Sequence, residues 1–379
     1  LKALTIGSAM LDTIAVIADD RIEQVRMSNA DTSFLLLEEG RKTDALEISI
    51  HSGGGAVNTA VAMARLGHRA ATLVKLGRDQ RAETIIAGLL DDGVDVRWIR
   101  RADDLPTGAS VLISSHDRNA AIFTYRGANT SLVPEDLERA AFDVDLVYIA
   151  SLSNRSADCF PALVALAREA GGMVATNPGI RQLSARSGTV LEGLASIDLL
   201  VMNRVEAEAM IAPVVARHGE IWAGRDAPQP YRELPEQVRR PLSGGGYQVG
   251  VLTFLSTLVS LGAARVALTL GRHGALLRTG EALYFCPALE HPNPAGSAGA
   301  GDAFASTLAA FLAAGAPPET ALRAAAINAA SVVSHVDAQS GLLRAEELAR
   351  RLDAEGGRLA VLRWPDAPSI QDTARSNEG

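Results

Sequence analysis

A doubly wound α/β domain, with a mostly parallel central sheet flanked by helices and a small β-sheet lid, is predicted by three observations. Short apolar runs alternate with helix-patterned stretches over most of the 379 residues. Several of those runs are apolar on both faces, as a parallel sheet between two helix layers requires. Two stretches, 14–52 and 107–126, break the rhythm with alternating strands and turns and are too short to be domains.

In chain order, the first strand is Leu4–Gly7, followed by Asp12 and the first lid segment. Three glycines, Gly53 to Gly55, then lead into a helix over Val57–Leu66. A strand over Ala71–Leu76 and a helix over Arg81–Asp91 precede the second lid segment, with its strands Ala109–Ile113 and Ala120–Tyr125. The strands Leu146–Ala150, Met173–Thr176, Leu199–Met202 and Val266–Leu270 alternate with helices over Ala157–Ala170 and Val249–Leu261. Between them, 212–246 is rich in Pro, Gly and Arg and reads as a surface insertion. Two apolar helices, Ala303–Ala314 and Glu319–His335, follow, and 364–379 reads as a flexible polar tail behind a single domain over 1–363.

Composition narrows the function classes. With 47% hydrophobic and 21% charged residues the chain has the makeup of a globular domain with a sizeable core. A net charge of −8 and no basic run exclude a nucleic-acid surface as the expected partner. Cys159 and Cys286 show no CxxC spacing, and the seven histidines show no metal-ligand spacing. A reducing, cytoplasmic setting is therefore expected. No apolar run reaches about 18 residues, so no membrane span is expected.

The most informative stretch is 296–304, small residues ending in Asp302 and opening into an apolar helix. Small side chains bare backbone N–H groups, and the helix dipole favours an anion at the same place. An aspartate there would repel that anion. Its presence makes sense where a neutral hydroxyl must lose its proton beside a phosphate. Gly53, Gly54 and Asn58 form a second glycine-bared helix start, and the Asn58 amide offers both donor and acceptor to a polyhydroxy compound. Asn203 and Glu206 follow a parallel strand, where ligands gather in open α/β sheets, and Glu206 suits Mg²⁺ held through water. Read alone, the same pair is a helix capping box. Thr269, Gly271 and Gly274 suit a tight turn beneath a nucleotide, or a plain hairpin. Asn328 on its Ala-rich helix reads alone as a satisfied polar core residue, and Asp12 as a turn residue or an acceptor for substrate hydroxyls.

Taken in order, these segments resemble the ribokinase-like (PfkB) carbohydrate kinases over nearly the whole chain. Gly53-Gly54 with Asn58 is similar to that family's Gly-Gly-x-x-x-Asn signature, Asn203 and Glu206 to its Asn-x-x-Glu motif, and Gly299-Ala300-Gly301-Asp302 to its Gly-Ala-Gly-Asp signature. The resemblance implies ATP as donor, Mg²⁺, and phosphoryl transfer to a sugar or sugar-like alcohol. Asp302 would be the general base, with Gly299, Ala300 and Gly301 stabilising the phosphoryl group. Asp12, Gly53, Gly54 and Asn58 would bind the acceptor. Asn203, Thr269, Gly271, Gly274 and Asn328 would bind the nucleotide, and Glu206 the metal through water. It also implies a homodimer paired through the lid.

Departures from the pattern matter. Gly296 stands where ribokinase-type members carry an aspartate that helps hold a monovalent cation, which counts against potassium activation. Gly55 stands where ribokinases have a lysine, which counts against ribose. A nucleoside kinase, and a catalytically silent sugar- or nucleotide-binding relative, are the alternative readings.

Overall fold

Strands buried on both faces pair in parallel at the middle of a sheet, and the apolar runs do so here. The computed structural model describes residues 1–18, 23–26, 33–36, 40, 42–114, 120–219, 233–290, 295–355 and 357–365. The chain begins β1 (Lys2–Ile6), β2 (Met10–Ile17), β3 (Glu23–Arg26), β4 (Ser33–Leu36), β5 (Ala45–Gly53), α1 (Gly55–Arg65), β6 (Arg69–Leu73), β7 (Lys75–Leu76) and α2 (Gln80–Asp91). It continues β8 (Arg100–Arg101), β9 (Gly108–Ser114), β10 (Ala120–Tyr125), β11 (Leu146–Ile149), α3 (Phe160–Ala170), β12 (Met173–Thr176), α4 (Ile180–Glu192), β13 (Leu199–Asn203) and α5 (Arg204–His218). The last part is α6 (Glu236–Arg239), β14 (Leu242–Gly244), β15 (Tyr247–Val249), α7 (Val251–Ser260), β16 (Arg265–Thr269), β17 (Ala275–Thr279), β18 (Ala282–Cys286), α8 (Ala300–Ala313), α9 (Pro318–Val333), α10 (Ala345–Glu355) and β19 (Leu362–Pro365).

Among the described residues the central sheet has the order β19-β18-β17-β16-β13-β12-β11-β1-β6. It is parallel from β16 to β6 and antiparallel from β16 to β19. Alternation along β11 shows how both faces are covered. Val147 and Ile149 join the core that contains Leu163, Met210 and Phe254, while Leu146 and Tyr148 join the one that contains Met63, Phe304 and Leu308. The lid is a second sheet, β10-β9-β2-β5, in which β2 pairs parallel with β9 and antiparallel with β5. No helix among the described residues is long and apolar enough to cross a membrane.

Several boundaries differ from the sequence expectation. The run 71–76 is split: β6 lies at the edge of the central sheet, while Lys75–Leu76 pairs with β8, and the Lys75 ammonium binds Asp136 at 2.7 Å. The lid begins at Met10 rather than 14, so Asp12 is a strand residue and not a turn residue. The helix expected from Ala157 starts at Phe160, after a 3₁₀ turn over Asn154–Cys159, and the one expected from Val249 starts at Val251 because Val249 belongs to β15. Of the expected insertion, 212–218 continues α5 and 236–246 supplies α6 and the start of a hairpin; 220–232 lies outside the described residues. Trp364 and Pro365, expected in the tail, pair with β18, and 366–379 lies outside the described residues, as do 19–22, 27–32, 37–39, 41 and 115–119 of the lid segments.

Candidate active site

Two glycine-bared helix starts, those of α1 and α8, meet at the carboxyl ends of the central strands. Gly299 caps α8 at φ 75°, and a Cβ there would sit 2.5 Å from that of Ala338, so only glycine fits. The first-turn N–H groups of a helix have no intrahelical partner; in α8 that of Ala300 reaches the Ser297 carbonyl at 3.4 Å, and those of Gly301 and Asp302 follow it. At Gly301 an added Cβ would meet nothing within 4 Å, which leaves the backbone of that turn open to a ligand. α1 starts against the loop after β1: Gly54 has φ 98°, Gly55 N donates to Ser8 Oγ at 3.2 Å and Ala56 N to the Ser8 carbonyl at 3.2 Å.

Asp302 stands in the first turn of α8, partly buried. Its Oδ2 accepts from Asn58 Nδ2 at 2.8 Å, and Oδ1 lies 3.6 Å from where a Gly55 Cβ would be. Burial pushes its carboxyl above the usual 3.8, and the Asn58 hydrogen bond opposes that rise. Asn58 is 4% exposed, so its amide serves Asp302 at least as directly as it serves an acceptor.

On the lid side, Asp12 lies opposite Ser110 and His51 across the strand pairs. Ser110 Oγ donates to Asp12 Oδ1 at 2.5 Å. Burial raises the Asp12 carboxyl, while the Ser110 hydrogen bond and the nearby His51 lower it. A Cβ on Gly53 would be 2.0 Å from Asp12 Oδ2, so Gly53 gives Asp12 its room. Asn129 clamps the start of β2, accepting from Ala9 N and donating to Ala9 O, both at 2.9 Å.

At the end of β13 Asn203 and Glu206 form the capping box that the sequence also allows. Glu206 N donates to Asn203 Oδ1 at 2.9 Å and Asn203 N to Glu206 Oε2 at 2.8 Å, a complete capping box. Glu206 is 8% exposed whereas the Asn203 side chain is exposed. Asn177 Nδ2 also reaches Glu206 Oε2 at 3.2 Å. Burial raises the Glu206 carboxyl, the Asn203 and Asn177 hydrogen bonds lower it, and Asp302 raises it further, so the two carboxylates share one electrostatic field. A buried, hydrogen-bonded carboxylate is a hard oxygen donor of the kind a hydrated Mg²⁺ takes. Among the described residues no cluster of three or more His, Cys, Asp or Glu is placed to hold a metal ion by itself.

A cavity of about 580 Å³ opens beside the α8 turn. Thr269, Gly271 and Gly274 of the β16–β17 turn form one wall, and Gly301, Phe304 and Ala330 another. Gly271 and Gly274 have φ of 56° and 96°, and a Cβ on Gly274 would collide with the Cys286 carbonyl at 2.3 Å. Asn328 does not line this cavity, contrary to the expectation from the resemblance. It is fully buried, donating to Thr307 Oγ1 at 2.8 Å and accepting from Leu343 N at 3.0 Å. Its neighbours Ala326, Ala329 and Ala330 face the cavity instead.

Gly127-Ala128-Asn129 is a stretch that resembles the ribokinases, whereas Ser110, Asn177, Gln339 and Tyr148 escaped sequence reasoning. Only Asn177 carried a usable signal, a polar residue just past the apolar strand Met173–Thr176, as Asn203 is past β13. Tyr148 is fully buried, and among the described residues its hydroxyl has no hydrogen-bond partner. Burial and the charges of Asp302 and Glu206 hold it well above the usual 10, as a neutral phenol.

The sequence model of the pfkB family carbohydrate kinases matches residues 13–213 and 248–345. The deoxyribokinase of Salmonella typhi is 24% identical over 331 residues, 86% of this chain and 94% of its own length. Among solved structures, Arabidopsis thaliana ribokinase complexed with ribose and ATP aligns with a TM-score of 0.68 at 20% identity, covering 92% of this chain and 98% of that one. Adenosine kinase from Sinorhizobium meliloti aligns with a TM-score of 0.69 at 21% identity, covering 92% and 98%. At these identities the solved structures show a shared ribokinase fold.

Proposed function

The chain belongs to the pfkB family of carbohydrate kinases, and from that premise we propose that it transfers the γ-phosphoryl group of ATP to a hydroxyl of a sugar or sugar-like small molecule, with Asp302 as general base. The observation that carries the proposal is the Asp302 carboxylate in the first turn of α8, held by Asn58 beside open backbone N–H groups. The phosphotransferase class and the alcohol acceptor follow from the family; the residue roles are the proposal.

In this reading the acceptor lies between lid and body, its hydroxyl at Asp302 and its other polar groups toward Asp12. A carboxylate is a weak base for an alcohol, so the proton moves late, as the bond to phosphorus forms. N–H groups of Gly299 to Asp302 meet the charge on the transferring group. The nucleotide occupies the cavity beside Gly271 and Gly274, whose mostly small, apolar lining suits a flat base. Glu206 would hold Mg²⁺ through water, and the ion would supply neutralising charge for the phosphates. The lid excludes water, the competing acceptor.

A homodimer through the lid is part of the proposal. Leu46, Ile48 and Ile50 of β5, Val111 of β9, and Phe123 and Tyr125 of β10 are 44–66% exposed. Register puts Ile50, Thr13, Val111 and Phe123 in one row, so these side chains share the outer face. An apolar sheet face of this size is what a second copy would cover. A reducing, cytoplasmic setting is proposed on two cysteines, Cys159 and Cys286, that are both buried and free.

The test is ADP release with Mg·ATP across sugars, deoxy sugars, sugar acids and nucleosides, with and without K⁺. Acceptor-dependent release with sugars, unaffected by K⁺, is expected. Release with nucleosides alone would turn the assignment to a nucleoside kinase. Binding without turnover across the panel would make the chain a silent relative.

A further inference from the structure

Both ends of the Asn58 amide are engaged. Oδ1 accepts from Gln339 Nε2 at 3.0 Å, and Nδ2 donates to Asp302 Oδ2 at 2.8 Å. The two ends of an amide have nearly the same shape and differ in being donor or acceptor. A donor at one end reinforces the carboxylate's own demand for the N–H at the other, and an acceptor there would oppose it. At 4% exposure, Asn58 has little solvent to relieve a wrong orientation.

The main chain of Gln339 is itself fixed. Its carbonyl accepts from Arg65 Nη1 at 2.6 Å, and Arg65 is anchored by a two-point ion pair with Asp92 at 2.7 and 3.0 Å. The N–H groups of Gln339 and Ser340 both donate to Asp337 Oδ1 at 2.8 Å. Asp337 Oδ2 in turn faces His51 Nδ1 of lid strand β5 at 3.8 Å. A contiguous set of polar contacts thus runs from the lid to Asp302.

We propose that Gln339 is a positioning residue: by donating to Asn58 it orients that amide so that an N–H, and not a carbonyl, meets the reacting carboxylate of Asp302. The proposal rests on the reading of Asp302 as the base. Asn58 from α1 and the Gly55 backbone lie against Asp302, and Tyr148 from β11 and Glu206 from α5 are near enough to feel its charge. Of these, Asn58 favours the ionised carboxylate of Asp302, against the burial that raises it.

Two variants separate polarity from packing. Gln339→Met keeps the length and removes the donor; Gln339→Glu keeps the shape and offers an acceptor, which draws the Asn58 N–H away from Asp302. Steady-state kinetics at saturating ATP with the best acceptor should show kcat lowered roughly tenfold to a hundredfold, the scale of one hydrogen bond to a charged group. Gln339→Glu should be the slower of the two. The acid limb of kcat should move to higher pH in both, and KM for ATP should not change. Wild-type kcat and acid limb in Gln339→Glu would overturn the proposal, as would a kcat loss that follows melting temperature with no movement of the limb. Asp302→Asn in the same assay distinguishes the two failures. Full activity there removes the base reading itself, whereas inactivity beside wild-type-like Gln339 variants overturns the positioning role alone.

Discussion

Asp302→Asn removes one charge and almost no volume, so it isolates what the carboxylate does. The replacement amide can still offer an oxygen to Asn58 Nδ2, which Asp302 Oδ2 now meets at 2.8 Å, and the helix start is unchanged. Loss of a general base costs about 10²–10⁴-fold in turnover, or about 3–5 kcal/mol of transition-state stabilisation. KM for ATP should stay near wild type, since Asp302 does not line the cavity proposed for the nucleotide. Stability should move the other way. The folded carboxyl is raised above 3.8 by burial, so the stability it contributes is present below that pH and is lost as pH rises through the folded value. At neutral pH the buried charge destabilises the wild type, and Asp302→Asn should melt higher, the gap closing as pH falls below 3.8. The wild-type acid limb of kcat/KM should lie above that same value. Asp12 and Glu206 are also raised by burial, so the limb is assigned to Asp302 by its disappearance from the residual activity of the variant. Steady-state kinetics across pH, with melting curves, measure all of this. Turnover within tenfold of wild type at the plateau would refute the reasoning.

Tyr148→Phe removes a buried hydroxyl that has no partner among the described residues, and relief of about 1–3 kcal/mol should raise the melting temperature by several degrees; a lower one would contradict this. Gly299→Ala puts a Cβ 2.5 Å from that of Ala338 at φ 75°, so calorimetry should show a loss of about 1–3 kcal/mol or more, and turnover should fall with it; unchanged melting and turnover would contradict the tight approach. Ile48→Glu places a charge on the 66%-exposed position of the outer lid face, and sedimentation should show dimer replaced by monomer; the same sedimentation for both proteins would contradict the lid interface.

How much of this was legible in the sequence depended on how local each cause was. The Gly299–Asp302 turn and the central strands were readable because backbone freedom, helix polarity and two-faced burial are written in neighbouring residues. Asp12 reads locally as a turn residue or an acceptor for substrate hydroxyls, because nothing local shows that the chain bends at Gly7, where a Cβ would be 2.9 Å from that of Ala150, and then starts a lid strand. Asn58 and Asn328 look alike as single amides on apolar helices. What separates them is the partner each meets, Asp302 for one and Thr307 with Leu343 for the other. Gln339 meets Asn58 across 281 positions, and Ser110 meets Asp12 across 98. Such contacts exist only after the sheets have assembled, and no local spacing encodes them.

The central claim is that this fold carries a phosphoryl group from ATP to an alcohol with Asp302 taking the proton. Single-turnover transfer from ATP labelled at the γ-phosphorus, with the best acceptor from the panel, tests it most directly. The account predicts that label appears on the acceptor in the first turnover of the wild type, while Asp302→Asn binds ATP as tightly and transfers at least a hundredfold more slowly. Label passing to inorganic phosphate regardless of acceptor, or to the acceptor at equal rates in both proteins, would contradict it.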